Sequence, residues 1–383
     1  MALIMPIYLV MRRTEGAIMA LTKKNAIVIT FLLIGMLGLA GLKLFQAQIG
    51  DRVISRVVNA KVGRDVAATL PDGLHVGLCG TSSPLPNPKR AEACNIIIAG
   101  KHMYVVDIGD AAPRNIVFMG LLPGEIDGLF LTHFHSDHIN GMGPLLLMRW
   151  TGGSHSTPLP VYGPSGVDKV VAGFNAAYAL DYGFRTAHHG PQIVPPSGAG
   201  AIAYSFNFQT SNANETKVVL EKDGLKVTAF RVNHGPIEPS VGYRFDYKGR
   251  SVVISGDTSK SDTLAMAAKD ADLLVHEAIS PKLVGMMTNA LAAKHIYNTA
   301  QITRDILNYH TTPIEAAQSA KAANVQQLVL SHIAPAIPTR FFYPSFLDGA
   351  RNHFSGKIIV GEDGMLFSMP AGGRDIEQIQ LIE

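Results

Sequence analysis

The sequence predicts an α/β protein preceded by an N-terminal membrane-spanning helix, and three observations support this. Short apolar runs typical of buried strands recur along the chain and end at polar residues, as at 128–132 and 251–255. Helically periodic segments lie between such runs, including the alanine-rich one from Thr312 to Ala323. An uncharged run of 18 residues, 25–42, approaches the length of about 20 residues that spans a bilayer. With 47% hydrophobic residues overall, the chain can also build a large core.

The N-terminus is interpreted as a membrane anchor with a cytoplasmic tail. Residues 1–24 contain four basic residues and one acidic residue, a net charge of +3. Positive charges beside a membrane helix stay in the cytoplasm, so the large domain is expected on the other side, in a periplasmic or extracellular space. A signal sequence and a secreted protein are the alternative, although the run is long for a signal peptide and no clear A-x-A site follows it. The sequence therefore predicts three regions, which are a cytoplasmic tail at 1–24, an anchor or signal sequence at 25–45 and a large domain at 46–383.

Residues 25–383 carry no net charge, because the +3 of the first 24 residues equals the net charge of the whole chain. Proteins that bind nucleic acid through its backbone usually have a basic surface. The sequence therefore predicts that nucleic acid is not a partner.

The chemistry-bearing stretch is 131–141, LTHFHSDHING, where three histidines and one aspartate fall within six residues. His133 and His135 follow an apolar strand and share one side of an extended chain, so they can bind one ion. Asp137 and His138 follow on a turn and point to a second ion. Imidazole nitrogen combined with carboxylate oxygen is a ligand set that Zn²⁺ favours. The stretch predicts a two-metal site.

The segment HFHSDH resembles the signature of the metallo-β-lactamase superfamily. Two further segments, GTSSP at 80–84 and VHEA at 275–278, are similar to motifs of its ribonuclease Z and arylsulfatase branch. The matches extend from about Gly77 to about Pro335. The resemblance implies a four-layer αββα sandwich, in which two sheets are packed between outer helices.

The resemblance also implies a complete ligand set for two divalent ions, most simply Zn²⁺. His133, His135 and His234 are expected at one ion. Asp137, His138 and His332 are expected at the other, and Asp257 is expected to bridge them. A β-lactamase of the dizinc type would use a cysteine at the second metal, and this chain has no cysteine near that place.

Three residues are expected to take part in catalysis. Asp137 would orient or deprotonate the nucleophile, and Glu277 with His310 would protonate the leaving group, as the matching positions do in ribonuclease Z. The alternative for the last two is structural: Glu277 is then a loop carboxylate and His310 a helix-end histidine.

Three functions are considered. The first is a membrane-anchored hydrolase of small phosphate or sulfate esters, like the arylsulfatase-like members, acting on a small-molecule substrate and possible as a homodimer. The second is a ribonuclease Z-type endonuclease that processes tRNA 3′ ends. It is placed second because an exported domain does not meet pre-tRNA and because 166–216 lacks the basic, glycine-rich arm of ribonuclease Z. The third, a noncatalytic metal-binding module, predicts lost ligands, whereas every expected ligand position is filled.

Several other features are predicted from local patterns. Cys79 and Cys94 are either bridged or two buried free thiols. Asp107 is expected either to support the metal ligands or to cap a helix, and Asp110 to cap the helix near Ala111. Thr312 is expected to open a helix with a capping box. Three segments of 166–216 are interpreted as loops, which are 187–190, 195–201 and 211–216. His188 and His189 are interpreted as residues that do not bind metal. The C-terminal strands are interpreted as closing the second sheet.

Overall fold

The computed structural model describes residues 5–209, 212 and 214–382. It divides into two compact units, Met1–Arg64 and Asp65–Glu383. Residues 1–4 of the predicted tail and parts of the predicted loop at 211–216 lie outside the described residues.

The N-terminal unit consists of two helices, α1 (Met5–Leu44) and α2 (Gln46–Lys61). Within α1, Met19–Leu44 is long and apolar enough to cross a membrane, and none of its most apolar window is buried. The helix begins well before the predicted anchor at 25–45, since no proline or glycine interrupts 7–15. By length and composition, α1 is a candidate membrane span.

The larger unit alternates strands and helices along the chain. Its described strands are β1 (Gly73–Gly80), β2 (Cys94–Ala99), β3 (His102–Val106), β4 (Ile126–Phe130), β5 (Leu159–Pro164), β6 (Ala201–Phe206), β7 (Thr216–Lys222), β8 (Leu225–Arg231), β9 (Val241–Tyr247), β10 (Arg250–Ile254), β11 (Leu273–Ile279), β12 (Gln327–Ala334), β13 (Lys357–Val360), β14 (Met365–Pro370) and β15 (Glu377–Gln380). Its described helices are α3 (Ala112–Phe118), α4 (Ser136–Ile139), α5 (Met142–Gly153), α6 (Val167–His189), α7 (Asp262–Ala267), α8 (Pro281–Ala293), α9 (Tyr297–Asp305), α10 (Pro313–Ala322) and α11 (Tyr343–Leu347).

The strands form two sheets. The first has the order β15-β14-β1-β2-β3-β4-β5-β6, and the second has the order β13-β12-β11-β10-β9-β8-β7. One apolar cluster with side chains from both sheets, including Phe130, Phe245 and Phe367, fills the space between them. A second cluster packs α3, α5 and α6 on the outside of the first sheet, and a third packs α7, α10 and α11 on the outside of the second. The predicted four-layer αββα sandwich is confirmed.

Burial of both faces explains why the strand sequences are apolar without interruption. In β2, Ile97 and Ala99 face the space between the sheets, whereas Ile96 and Ile98 face the helices. Side chains alternate along a strand, so a strand covered on both sides needs apolar residues at every position.

The site lies where several strands end at the same edge. In the second sheet β10, β11 and β12 are parallel, and β8 runs with them because both β8 and β10 are antiparallel to β9. The loop after β4 in the first sheet meets this edge, where Val241 N donates a hydrogen bond to Thr132 O over 3.0 Å. Loops that follow these strands therefore converge across the two sheets.

Three local predictions differ from the structure. Residues 187–189 are helical, not a loop, because 167–189 lack proline and α6 continues to Gly190. The strands β14 and β15 join the first sheet through antiparallel pairing of β14 with β1, and only β13 extends the second sheet. Asp110 does not cap α3: its N-cap is Ala111, which has no side-chain cap, and Asp110 N donates to Glu92 Oε2.

Two other local features match or complete the predictions. The capping box is confirmed, with Thr312 accepting from Glu315 N and Glu315 accepting from Thr312 N. Cys79 and Cys94 form a disulfide, which decides between the two alternatives for this pair. The disulfide closes the loop between β1 and β2.

Candidate metal centre

The residues from 133 to 138 lie on the loop after β4 and on the short helix α4. His234 follows β8, and Asp257 follows β10 after Gly256, whose φ is +62°. His332 lies near the end of β12 with φ +48°. The structure brings all seven predicted ligands to one edge of the sandwich, although they are separated by up to 199 residues in the sequence.

One cluster consists of His133, His135, His234 and Asp257, whose ligand atoms all lie within 4.8 Å of one another. His135 Nδ1 is 3.0 Å from His133 Nε2 and 3.4 Å from His234 Nε2. Two ligand atoms on a tetrahedral Zn²⁺ lie about 3.3 Å apart, given metal–nitrogen bonds of about 2.0–2.1 Å. The spacing and the nitrogen-rich donor set fit one divalent ion.

A second cluster consists of Asp137, His138, Asp257 and His332, all of them buried. His138 Nε2 is 3.4 Å from Asp137 Oδ2 and 3.3 Å from Asp257 Oδ2. His332 Nε2 is 3.0 Å and 3.4 Å from the same two oxygens. Among the described residues His138 Nε2 is buried without a hydrogen-bond partner. An orphaned nitrogen facing two carboxylates fits a second cation, and Asp257 belongs to both clusters.

The electrostatics of the centre favour cations. Burial would raise the pKa of Asp257, but His332 and His138 hold it well below the usual range. Burial would lower the pKa of His138, but the carboxylates of Asp257, Asp137 and Asp107 raise it well above normal. Burial, and next His138, lowers the pKa of His133. The first cluster thus offers neutral imidazoles, and in the second a metal must displace protons.

Hydrogen bonds made by Nδ1, the ring nitrogen that faces away from the centre, orient two of the histidine ligands. His138 Nδ1 donates to Asp107 Oδ2 over 2.8 Å, and Asp107 also accepts from Thr132 N and Thr132 Oγ1 over 2.8 Å each. His234 Nδ1 donates to Tyr309 O over 3.1 Å. Such bonds fix the ring so that Nε2 faces the ion. Of the two alternatives for Asp107, the structure has the one that supports a ligand.

His310 and Glu277 form a pair beside the second cluster. His310 Nδ1 donates to Glu277 Oε1 over 2.9 Å, and that oxygen also accepts from Thr258 N over 2.9 Å. Burial would lower the pKa of His310, but Glu277 raises it to about 9. The His310 ring stacks on His332, with centroids 5.6 Å apart. The Glu277 carboxylate therefore orients the His310 ring and favours its protonated form next to the centre.

The structure also places the remaining candidates, one against its local interpretation and two in agreement with it. Glu277 lies inside β11 and is buried, so it is not a loop carboxylate. His188 and His189 lie at the exposed end of α6 and join none of the metal-binding clusters found among the described residues. Thr132 and the Tyr309 carbonyl were not predicted as site residues. A backbone carbonyl leaves no signal in the sequence. Thr132 did leave a signal, because it lies at the end of a predicted strand directly before His133.

A model of the β-lactamase superfamily domain matches residues 121–333, more than half of the chain and a stretch that includes all seven ligand positions. The chain belongs to the metallo-β-lactamase superfamily. Within it, the chain is 33% identical to ribonuclease Z of Mycobacterium bovis (strain BCG / Pasteur 1173P2) over 293 residues, which are 76% of this chain and 96% of the relative. It is 34% identical over 265 residues to ribonuclease Z of Mycobacterium sp. (strain KMS), covering 69% and 85% of the two chains. The predicted membership of the ribonuclease Z branch is confirmed.

Solved structures show the same superfamily fold. The short form of human tRNase Z matches with a TM-score of 0.56 at 22% identity, covering 77% of this chain and 99% of that one. A metallo-β-lactamase fold protein from Bacillus subtilis matches with a TM-score of 0.54 at 20% identity, covering 76% and 98%. These structures show the fold, and the family match with the curated relatives makes this superfamily member a metal-dependent hydrolase that acts on ester bonds.

Two of the predictions about partners are wrong, the small-molecule substrate and the exclusion of nucleic acid. The curated relatives are ribonucleases, which act on RNA, so the expected small-molecule ester substrate and the exclusion of nucleic acid do not stand. The prediction rested on the net charge summed over residues 25–383, on the expected export and on the missing arm. A net charge of zero over that range does not describe the local field at a cleavage site, where bound divalent ions would be the largest charges.

Proposed function

We propose that the protein is a ribonuclease Z-type endonuclease that hydrolyses phosphodiester bonds of RNA with two divalent ions, most simply Zn²⁺. One observation carries the proposal: Asp257 is common to two adjacent ligand clusters in a chain that aligns with 96% of a ribonuclease Z. His133, His135 and His234 would hold one ion. Asp137, His138 and His332 would hold the other, with Asp257 shared.

Two divalent ions held by these ligands would supply hydroxide near neutral pH and offset charge on the phosphate oxygens. The protein's own part is to hold the ligands and to move a proton. The bonds from Asp107 and Tyr309 O keep His138 and His234 in place. Asp137 lies between His138 and His332, where it can orient the attacking water.

His310 is the proposed acid. Its Nδ1 is bonded to Glu277, so the proton available for transfer is on Nε2. Because Glu277 raises the pKa of His310, the protonated ring is favoured and can donate to the departing ribose oxygen as the phosphorus–oxygen bond breaks. Glu277 is a positioning residue, because it touches His310 and not the reacting atoms.

A substrate panel tests this function on the purified full chain. It contains a tRNA precursor with a 3′ extension, an unstructured RNA, bis(4-nitrophenyl) phosphate and an aryl sulfate, each also tested with Asp257→Ala. We expect cleavage of RNA at a defined position and loss of that cleavage in the variant. An enzyme that hydrolyses the aryl sulfate and leaves both RNAs intact would overturn the RNA proposal and restore the arylsulfatase-like specificity. A wild-type protein that binds metal and hydrolyses nothing would indicate a noncatalytic module.

We also propose that α1 anchors the protein in a membrane with the larger unit outside the cytoplasm. The positive tail and the apolar length of Met19–Leu44 support this orientation. So does the Cys79–Cys94 disulfide, since such bonds persist mainly in oxidising compartments. The substrate would then be RNA that reaches that space. A C-terminal reporter active only outside the cytoplasm should give signal; signal only from a cytoplasm-restricted reporter would contradict the orientation and make cytoplasmic pre-tRNA the substrate.

A further inference from the structure

Helix α2 has an apolar side that α1, the other helix of its unit, leaves uncovered. None of its residues is buried. Five large aliphatic side chains are 44–62% exposed, which are Ile49, Val53, Ile54, Val57 and Val58. Exposed large apolar residues in one contiguous set indicate a surface that binds something.

The five side chains lie on one side of the helix. At 3.6 residues per turn they cover about half of the circumference, and the opposite side carries only polar and charged residues, which are Gln48, Arg52, Ser55, Arg56 and Asn59. A coiled-coil seam is narrower and repeats every three and four residues. If Val53 and Val57 were two positions of such a seam, the neighbouring seam positions would be the small residues Gly50 and Ala60. If Ile54 and Val58 were seam positions, the neighbouring ones would be the charged residues Asp51 and Lys61. The pattern therefore favours a flat apolar environment over a paired helix.

The position of α2 in the chain indicates what that environment is. Only Phe45 separates α2 from the end of α1, the candidate membrane span. With α1 in a bilayer, α2 starts at the bilayer surface. It does not continue across, because Asp51, Arg52 and Arg56 interrupt it.

The charges of α2 suit an anionic surface. Arg52, Arg56 and Lys61 stand against Asp51, a net charge of +2. Arg56 borders the apolar half and Arg52 lies one turn before it on the polar side, and long basic side chains at such positions reach headgroups while the aliphatic residues enter the acyl boundary.

We propose that α2 lies in the membrane–water interface with its apolar half in the acyl boundary and its arginines on anionic lipid headgroups. The proposal rests on α1 as the membrane span and is independent of the reaction that the larger unit catalyses. Its partner is the lipid surface, and a second copy of the chain is the competing outcome.

The test measures quenching by lipids with brominated acyl chains in the full chain reconstituted into vesicles of phosphatidylcholine with phosphatidylglycerol. Cys79 and Cys94 are bridged, so a thiol-reactive fluorophore labels only an introduced cysteine. The labelled variants are Val53→Cys on the apolar side, Ser55→Cys on the polar side and Leu33→Cys in α1. We expect strong quenching at 33 and 53 and weak quenching at 55. Arg52→Gln with Arg56→Gln should lower quenching at 53 by at least about two-fold in anionic vesicles only, whereas Lys321→Gln should not.

Each contrary result points to a different failure. Equal quenching at 53 and 55, with 33 strongly quenched, would overturn the interfacial position while leaving the span. Intermolecular disulfide formation through Val53→Cys without lipid quenching would assign the apolar side to a second copy. No quenching at 33 would remove the span and this proposal together. RNA cleavage by the same samples reports separately on the proposed function.

Discussion

At the scale of single residues, the centre depends on one carboxylate and one histidine in different ways. Asp257 is buried among imidazoles of both clusters, so both ion sites depend on it. His310 lies outside the two clusters that share Asp257 and is held by Glu277. In the proposed mechanism, the first residue therefore assembles the site and the second acts in the chemistry.

Replacing Asp257 should remove metal and activity together. In Asp257→Ala, two cations would share a site that has lost its common anion, and both coordination shells would be incomplete. We expect a loss of bound metal and a decrease in kcat of more than about 100-fold. Elemental analysis and RNA cleavage on the same preparation measure both. Asp168→Ala, on the exposed first turn of α6, is the matched control and should change neither; a variant Asp257→Ala that retains both ions would exclude the shared role.

Replacing His310 should slow turnover and leave the metals bound. Proton donation matters most when the departing oxygen is basic, so His310→Ala should lower kcat/KM by about 10²–10⁴-fold for RNA and far less for bis(4-nitrophenyl) phosphate. Metal content is measured on the same samples. Equal losses for the two substrates, with both ions present, would leave His310 as a structural residue.

The same residue predicts an alkaline limit of activity. Glu277 raises the pKa of His310 from 6.5 to about 9. The acid form is needed, so activity is present below that pKa and is lost as pH rises through it. Bound cations nearby lower the value, which places the fall of kcat/KM at or below pH 9. The pH profile should lose this limb in His310→Ala; an unchanged limb would assign it to another group.

At the scale of elements, the ends of the strands were predictable from the sequence, whereas the sheet that each strand joins was not. Apolar runs that end at His133, His234, Asp257 and His332 predicted strand ends that deliver ligands, because burial and polar chemistry both leave strong local patterns. The membership of β14 in the first sheet was predicted wrongly. Its partner β1 is almost 300 residues away, and a strand pattern does not specify which edge it joins.

The residues of the metal centre divide in the same way, into those predictable from a local pattern and those that depend on nonlocal contacts. The metal-binding motif is local, so its six residues carried their own evidence. The bond from His234 to the carbonyl of Tyr309 depends on how two distant loops meet, and Asp107 could be assigned to His138 only once β3 and β4 were paired. Element types were therefore predictable where periodicity was strong, and nonlocal hydrogen bonds were not.

The turn that delivers Asp257 requires glycine. Gly256 has φ +62°, and a Cβ there would lie 2.6 Å from Val241 O. Gly256→Ala should destabilise the protein by about 1–3 kcal/mol and weaken metal binding, since the turn must move. The matched control is Gly173→Ala in α6, where a Cβ meets nothing within 4 Å and should stabilise by about 0.5–1 kcal/mol. Thermal unfolding measures both, and equal effects of the two substitutions would contradict the account of this turn.

At the scale of the whole molecule, the two units differ in where their apolar residues lie. The larger unit buries apolar residues between and outside two sheets, whereas the N-terminal unit leaves its apolar residues exposed. Composition alone predicted this contrast. The net charge summed over residues 25–383 misled the prediction of partners, because a site that concentrates two aspartates and five histidines acts through its local field.

The stoichiometry of bound metal tests the two-ion centre most directly. The full chain, purified in detergent without chelators, is analysed for divalent metals by elemental analysis, with folding checked by thermal unfolding. We predict about two divalent ions per chain, and loss of both in Asp257→Ala. A folded wild-type chain that binds no ion, or that binds one ion unaffected by Asp257→Ala, would contradict the shared two-metal centre.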